Sequence, residues 1–560
     1  MNSAIILLLG VGAMILGYVF YSKFIATKIL ALDNSLPTPA HTMKDGIDYV
    51  PTNKYVLWGH HFTSVAGAAP IIGPAIAVIW GWLPAVLWVV FGTILMAGVH
   101  DMSAIWASMR NRGQSIGSIA GTVMGTRVRS LMMIVIFLLL LMVNAVFGVA
   151  IADMMIKTPS AVLPVWGALV VAFIIGQCIY RYHMNLVWVS IIGVTALYGL
   201  IYLGPMFPVV LPETIFGLPD NAVWIIILFA YAAVASLLPV WMLLQPRDYI
   251  NGLQLFVGLI LLYAAIFISS PDIVAPAINT NLPIDTPSIM PLLFVTIACG
   301  AISGFHGLVA TGTTSKQIDK EEDARFVGYF GALGEGMLAL GAILAATAGF
   351  ATLGDWQAVY QNFGDGSIGA FIDGGATILN AGIGIDMVLS QTMLTVMAAL
   401  FAGTTMDTGV RLQRYIFQEF GEFYNLPALT KGSVATFLAV GSCLLLAFGA
   451  GGIGGEGGMI IWPLFGTTNQ LMAALTLMVV TVILLRKGKP VWYTLAPLSF
   501  LLVMTVFALL IQLKTFYVDG NWLLIIMDII ILIATILVTF ESFSVLRREW
   551  SLYKGNHSVK

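Results

Sequence analysis

The chain has 560 residues, of which 59% are hydrophobic and 9% charged, with a formal net charge of -2. Soluble proteins carry about 25% charged residues, so a surface with this composition faces lipid, and a soluble globular enzyme is excluded. The mean hydropathy of +0.95 agrees, and the balanced charge offers neither a basic surface for nucleic acid nor an acidic tail.

Residues 4–22 are nearly all apolar, with no Lys or Arg before them and no small-residue cleavage site after them. This reads as a retained first membrane helix rather than a signal peptide. A span needs about 20 predominantly apolar residues. Along the chain such runs occur at 2–30, 62–80, 83–108, 129–156, 161–179, 184–203, 221–244, 250–270, 289–312, 326–353, 374–404, 430–450, 459–485, 491–512 and 521–545. No stretch sustains the two-residue alternation of a membrane β-barrel. The expected fold is therefore an all-α polytopic membrane protein with about fifteen transmembrane helices. Cytoplasmic loops are enriched in Lys and Arg. With the N-terminus outside, every one of the 25 Lys and Arg residues except Lys157 and Lys514 falls on the cytoplasmic side, which supports an N-out, C-in arrangement. The expected organisation is a first peripheral helix (1–30), a cytoplasmic loop (31–61), a transport core (62–404), and further C-terminal helices ending in a short polar tail (405–560).

Glycine and proline clusters inside a span free backbone groups that lipid cannot satisfy, and such segments form the substrate and ion sites of many secondary transporters. The second span carries Gly67, Ala68, Ala69, Pro70, Gly73 and Pro74; a kinked, tightly packed helix is the alternative reading. The seventh carries Ser236, Pro239 and Trp241, five spans later and so running in the opposite direction. This spacing predicts a LeuT-like core of five plus five inverted helices, with both clusters lining the substrate site. The ninth span, with Gly300, Ser303, Gly304, His306 and Gly307, reads equally as a cation or proton site and as a row of small residues for close helix packing.

Ionisable residues within spans are functional candidates: His100, Asp101, His306, Glu335, Asp386 and Asp528. His306 is the first candidate for proton coupling, because imidazole titrates near physiological pH. A structural histidine bonded to a carbonyl is the alternative. His61, beside His60 at the expected cytoplasmic mouth of the second span, is the second candidate. His100 and Asp101 read as fold-stabilising, and Asp528 as a structural or oligomer contact. Asp407, Arg411 and Arg414, spaced four and three apart, suit ion pairing on one helix face; with Gln245 and Arg247 they form a candidate inner gate. Adjacent His60 and His61 cannot share one helix face, and no zinc spacing or HExxH occurs, so no metal site is expected. Cys178, Cys299 and Cys443 are scattered and read as small buried apolar residues. The glycine-rich run 449–458 has no Lys-Ser/Thr and reads as a flexible external turn, not a phosphate loop. No cofactor is expected.

Several motifs, in order over most of residues 50–480, resemble the carbon starvation protein A (CstA) family. They are Gly59-His60-His61-Phe62 with the 66–74 cluster, His100-Asp101 with Ser108 and Arg110, and Gln245-Pro246-Arg247-Asp248-Tyr249. Cys299–Gly307, Thr404–Thr408 with Arg411 and Arg414, and Trp462–Gly466 with Asn469-Gln470 follow. The resemblance implies a bacterial or archaeal inner-membrane importer of the amino acid–polyamine–organocation superfamily. It also implies peptide uptake in carbon starvation or proton-coupled pyruvate uptake, and the LeuT-like core common in that superfamily. The expected partners are the bilayer and a small substrate bearing a carboxylate: pyruvate, a peptide or an amino acid. H+ is the expected coupling ion and Na+ the alternative. A transporter-like nutrient sensor, a passive channel and a membrane-embedded enzyme are the rivals; the last lacks an evident nucleophile–base or metal constellation.

Overall fold

The computed structural model describes residues 1–453 and 457–558. It is a helical bundle, and among the described residues the only sheet is a two-stranded ribbon, Thr214–Ile215 with Leu218–Pro219. In chain order the long helices are α1 (Ser3–Leu30), the bent pair α2 (Lys54–Ala66) and α3 (Ala69–Trp80), α4 (Trp82–Met109), α5 (Ile116–Met124), α6 (Thr126–Lys157), α7 (Pro159–Arg181), α8 (Leu186–Met206), α9 (Asp220–Leu237) and α10 (Leu244–Ser269). Then come α11 (Ile289–Thr296), α12 (Gly304–Gly312), α13 (Arg325–Ala348), α14 (Ser367–Ile383), α15 (Met387–Phe423), α16 (Gly432–Gly451), α17 (Gly457–Arg486), α18 (Trp492–Val518) and α19 (Trp522–Ser558).

Thirteen of these are long and apolar enough to cross a membrane, or up to fourteen if the bent α2–α3 pair is one span. Each contains a long apolar stretch with at most two charged residues. Asn and Asp side chains open several of them: Asn2, Asn53, Asn185 and Asp386 each accept from the first free backbone N–H groups, replacing bonds that the helix itself cannot supply. α17 is buried along its whole apolar stretch and α13 nearly so, whereas α8 is mostly exposed to lipid.

Several expectations need correction. The ninth expected span, 289–312, is two short helices, α11 and α12, separated by residues 297–303. Residues 54–61, read as loop, are the first half of a helix, because Asn53 caps it there. The stretch 236–241 does not interrupt a span: α9 ends at Leu237, and 238–243 is the turn to α10. Pro239 stands two residues past the end of α9, not within it. Asp386 is no intramembrane charge but the exposed N-cap of α15. Cys178 is half-buried, unlike Cys299 and Cys443. The expected polar tail is helical to Ser558. Of the glycine-rich turn, residues 454–456 lie outside the described residues.

The loops sort to two ends. At one end Arg110 pairs with Glu321 at 2.6 Å, Thr38 donates to Ile318 O, and Asp48 accepts from Tyr415 at 2.7 Å. At the other, Ser3 donates to Pro271 O, Asn279 to Ile79 O, and Phe363 N to Asp285. These are the two groups of loops that the distribution of basic residues separates.

Helix contacts in lipid depend on close backbone approach. On α14, Gly374 lies so near Ala345 O of α13 that an added Cβ would press on that carbonyl, whereas a Cβ at Gly369 would meet nothing within 4 Å. Gly374→Ala is expected to cost about 1–3 kcal/mol and lower the thermal midpoint of the detergent-solubilised protein. Gly369→Ala should leave that midpoint unchanged.

Candidate transport site

The first break, between α2 and α3, bends the span by 44°. Gly67 turns it at φ +55, a left-handed conformation, and a Cβ there would stand 2.7 Å from Thr405 Oγ1 and 2.8 Å from the Phe147 ring. Only glycine meets both demands. Two consecutive hydroxyls of α15 take up carbonyls of the last turn of α2: Thr404 donates to Thr63 O at 2.8 Å and Thr405 to Ser64 O at 3.0 Å. Pro70 opens α3, where a missing N–H costs nothing.

The second break, 297–303, is held by one side chain of α17. Asn469 Oδ1 accepts from Phe305 N at 2.8 Å, and its Nδ2 donates to Cys299 Sγ at 3.0 Å and Ser303 Oγ at 2.9 Å. Thr93 donates to Gly300 O at 3.0 Å. The two breaks face each other. A Cβ on Gly73 would press on Thr296 O, and one on Gly300 would lie 3.5 Å from Pro70 Cβ. Trp80, at the end of the first broken segment, donates to Pro287 O before the second, and Thr52 N, before the first, donates to Gln317 O after the second, so the two segments run in opposite directions.

Beside the second break lies a buried acid–imidazole centre. His306 of α12 sits with Nδ1 2.8 Å from Asp101 Oδ2 of α4 and Nε2 2.9 Å from Glu335 Oε2 of α13. Asp101 Oδ1 is 2.8 Å from His100 Nδ1, and its Oδ2 is 3.8 Å from His61 Nε2. His61 Nδ1 meets Thr314 Oγ1 at 2.9 Å. All five ionisable residues are at most 1% exposed. Glu335 Oε1 has no hydrogen-bond partner among the described residues.

A second centre lies on another side of α2. Arg247 of α10 bonds Asp407 of α15 through both terminal nitrogens, and Asp248 through Nε at 2.8 Å and Nη2 at 2.5 Å. Tyr231 of α9 accepts from Arg247 at 2.6 Å and donates to Asp407 at 2.8 Å. His60 Nδ1 is 2.7 Å from Asp248 Oδ2. Successive helical residues point about 100° apart, so adjacent His60 and His61 serve different centres.

The structure brings together Gly67, Ala68, Ala69, Pro70, Gly73 and Ser303 at the facing breaks, with His306 and His61 alongside. It does not bring Ser236, Pro239 and Trp241 there. Ser236 donates to Ala233 O and faces Thr436, and Trp241 meets the Tyr180 ring in the turn. His61 and His60 are not at a mouth but fully buried. Asp407 pairs with Arg247 rather than with Arg411 on its own helix. Arg411 instead donates to the carbonyls of Ala235 and Leu238, which α9 leaves free at its end, and lies 3.6 Å from Asp48. Arg414 stacks on Tyr415. Gln245 is bonded to Gln317 and Tyr180, both at 2.5 Å, and to Thr52. Asp101, read as fold-stabilising, is the shared acceptor of the first centre. Sequence reasoning did not assign Asp101, Glu335, Asp248, Tyr231 or Asn469 a place at the site. The signal for the first two was their charge within a span.

A cavity reaches toward this region from each end. One of about 370 Å³ is bounded by Asp48, Lys316, Glu419, Thr311 and Gly312. Another, of about 550 Å³, is bounded by Lys157, Asp153, Asp365, Ile72 and Gly458. Arg129 and Lys157, at opposite ends of α6, border one each.

A lipid-immersed bundle with two facing interrupted spans and buried charge between two vestibules defines a multi-pass transport protein of the bacterial cytoplasmic membrane. The family model described as "Carbon starvation protein CstA" matches residues 2–362 and 351–508, and the chain belongs to this family. A Campylobacter jejuni protein named peptide transporter CstA is 33% identical over 573 residues, which cover 90% of this chain and 79% of the relative. An Escherichia coli protein named pyruvate/proton symporter BtsT is 31% identical over 581 residues, covering 90% and 81%. A Bacillus subtilis peptide transporter CstA is 31% identical over 542 residues, covering 90% and 89%. Among solved structures, a point mutant of an Eremococcus coleocola manganese transporter superposes with a TM-score of 0.55 at 13% identity, over 90% of this chain and 99% of that one; this is likeness of fold alone.

Asp101→Ala would leave buried imidazoles without their shared acceptor. It is expected to destabilise the protein by about 3–5 kcal/mol, read as a lowered denaturation midpoint in detergent. The nearly isosteric Asp101→Asn should lose markedly less.

Proposed function

We propose that the protein is a proton-coupled importer of a small nutrient bearing a carboxylate, working by alternating access around the two facing breaks. The observation that carries this reading is the His306 centre, where one imidazole is held between two buried carboxylates directly beside an interrupted span. Burying such a group is costly, and imidazole exchanges protons near neutral pH. The names of the relatives give the substrate class: a peptide transporter and a pyruvate/proton symporter share about a third of this sequence. Pyruvate, peptides and amino acids share a carboxylate, which suits the helix N-termini of α3 and α12 at the breaks, where backbone dipoles carry partial positive charge.

In this reading Gly67, Ala68, Ala69, Pro70, Gly73 and Ser303 border the substrate path, and His306 with Asp101 and Glu335 carries the coupling proton; His61 assists. Gln245, Arg247, Asp407 and Arg411 lock helices together on the side of the basic loops. The richness of that side in Lys and Arg supports its being cytoplasmic. The inverted relation, expected between the second and seventh spans, is proposed here for the two broken spans, 54–80 and 289–312. No enzymatic role is part of this reading.

The test is uptake of labelled pyruvate, and of a labelled dipeptide, into proteoliposomes under imposed proton and sodium gradients. Accumulation driven by the proton gradient and abolished by a protonophore is expected. His306→Ala should lose that drive while the protein remains folded in the membrane. Unchanged proton dependence in this variant would remove His306 as the coupling group; no accumulation of either substrate would overturn the importer reading.

A further inference from the structure

Arg247 is fully engaged. Its Nε and Nη2 hold Asp248, and its two terminal nitrogens hold Asp407 and Tyr231. Yet Arg247 and Tyr231 also open onto a small cavity of about 40 Å³ whose other walls include Trp166, Asn251, Gly403 and Thr404. Asn251, 1% exposed, lies one turn after Arg247 on α10, and its Nδ2 donor has no partner among the described residues. Gly403 lies one turn before Asp407 on α15, and a Cβ added there would meet nothing within 4 Å. A guanidinium, a phenol and an unpaired amide N–H thus converge on an otherwise apolar space. That set matches a carboxylate with an acceptor oxygen beside it on a short carbon chain.

The two acids that hold Arg247 are not equivalent. Asp248 is its neighbour in the chain and is also tied to His60 at 2.7 Å and Ser64 at 3.3 Å. Asp407 comes from another helix and is held by Arg247 and Tyr231, the two groups that face the cavity. A ligand carboxylate could take the same fork of N–H donors only by displacing Asp407. Doing so with Asp407 still ionised would leave an uncompensated anion in the bundle, which is prohibitive.

We propose that this cavity is a binding site for a short-chain 2-oxo or 2-hydroxy monocarboxylate, and that the ligand enters by exchange. Asp407 takes a proton from water and releases Arg247, the ligand carboxylate accepts the freed N–H groups and the Tyr231 hydroxyl, and Asn251 donates to the neighbouring oxygen. The centre starts with one guanidinium and two carboxylates. It ends with one guanidinium, Asp248, a neutral Asp407 and the ligand carboxylate, so its charge is the same before and after. Proton and anion therefore bind as a neutral pair. The groups facing Asp407 are Tyr231 from α9, Arg247 and Asp248 from α10, His60 from α2 behind Asp248, and Arg411 one turn along its own helix. The inference rests on the importer reading above and adds to it a second carboxylate site, apart from the path at the facing breaks.

The test is equilibrium binding of pyruvate to the full-length protein in nanodiscs across pH, with proton uptake followed by a pH dye. The unsubstituted protein is expected to take up protons with pyruvate and to bind it more weakly as pH rises. Asp407→Asn, which imitates the protonated acid, should bind with one proton fewer and a flatter pH profile. Asn251→Ala should weaken pyruvate about tenfold and leave acetate, which lacks the second oxygen, unchanged. Gly403→Val should abolish binding of both, with an unchanged thermal midpoint as its folding control. Retention of the full proton uptake in Asp407→Asn, or undiminished binding in a folded Gly403→Val, overturns the site. So does binding of a dipeptide with no binding of pyruvate, which leaves the importer reading standing. Proton-linked binding in nanodiscs without accumulation in proteoliposomes would keep the site and overturn the importer reading.

Discussion

Lipid offers a helix no hydrogen bonds, so every backbone group freed by a break must find a partner inside the protein. The arrangement of this bundle follows from that requirement. The break at Gly67 is possible because α15 presents Thr404 and Thr405 to the carbonyls of α2. The break at 297–303 is possible because α17 presents Asn469, whose amide serves a backbone N–H, a hydroxyl and a thiol at once. Even the end of α9, outside the breaks, has its carbonyls taken by Arg411. α15 and α17 are buried because they carry the polar groups that keep their neighbours interrupted.

The same helices make the two charge centres one mechanical unit. α2 bears His60 toward Asp248 and His61 toward Asp101, on consecutive residues. It ends at the Gly67 hinge and packs along α10, where Gly59 lies so close to Tyr249 that a Cβ would come within 2.8 Å of its Cα. A tilt of α2 about that hinge changes both centres together. A substrate or proton that stabilises one arrangement of either centre thereby biases the other.

How much of this was legible in the sequence depended on whether a signal was local. Spans are local, and among the described residues each of the fourteen spanning helices, with the bent pair counted as one, overlaps an expected position, although 374–404 runs across the turn at 384–386 between α14 and α15. The Gly67–Pro74 break was legible because glycine and proline act through the backbone at their own position. Proline also misled: Pro239 has the same local chemistry, but it lies where α9 is already ending, a fact set by the neighbouring helices. Asp407 and Arg411 share a helical spacing that suggests a pair, yet each is claimed by a group more than 150 residues away in sequence. Intramembrane charge marked His306, Asp101 and Glu335 individually, but nothing local joined α4, α12 and α13 around them. Asn469, a neutral amide among threonines, carried no local signal of its own and entered the sequence reading only within the family motif.

Charge balance in the core links coupling to stability. Among the described residues, the two centres bury four carboxylates, Asp101, Glu335, Asp248 and Asp407, against one guanidinium, Arg247, and four imidazoles, His60, His61, His100 and His306. With all imidazoles neutral, the carboxylates exceed the cations, and an unbalanced buried charge is more costly than almost any other local defect. In the proposed reading, an anion that enters this core therefore brings a proton with it. A shared fold does not by itself assign such chemistry: the superposition on a manganese transporter extends over 90% of the chain at 13% identity. In the reading proposed above, the acid–imidazole interior makes an anionic substrate and a proton each the counterweight of the other.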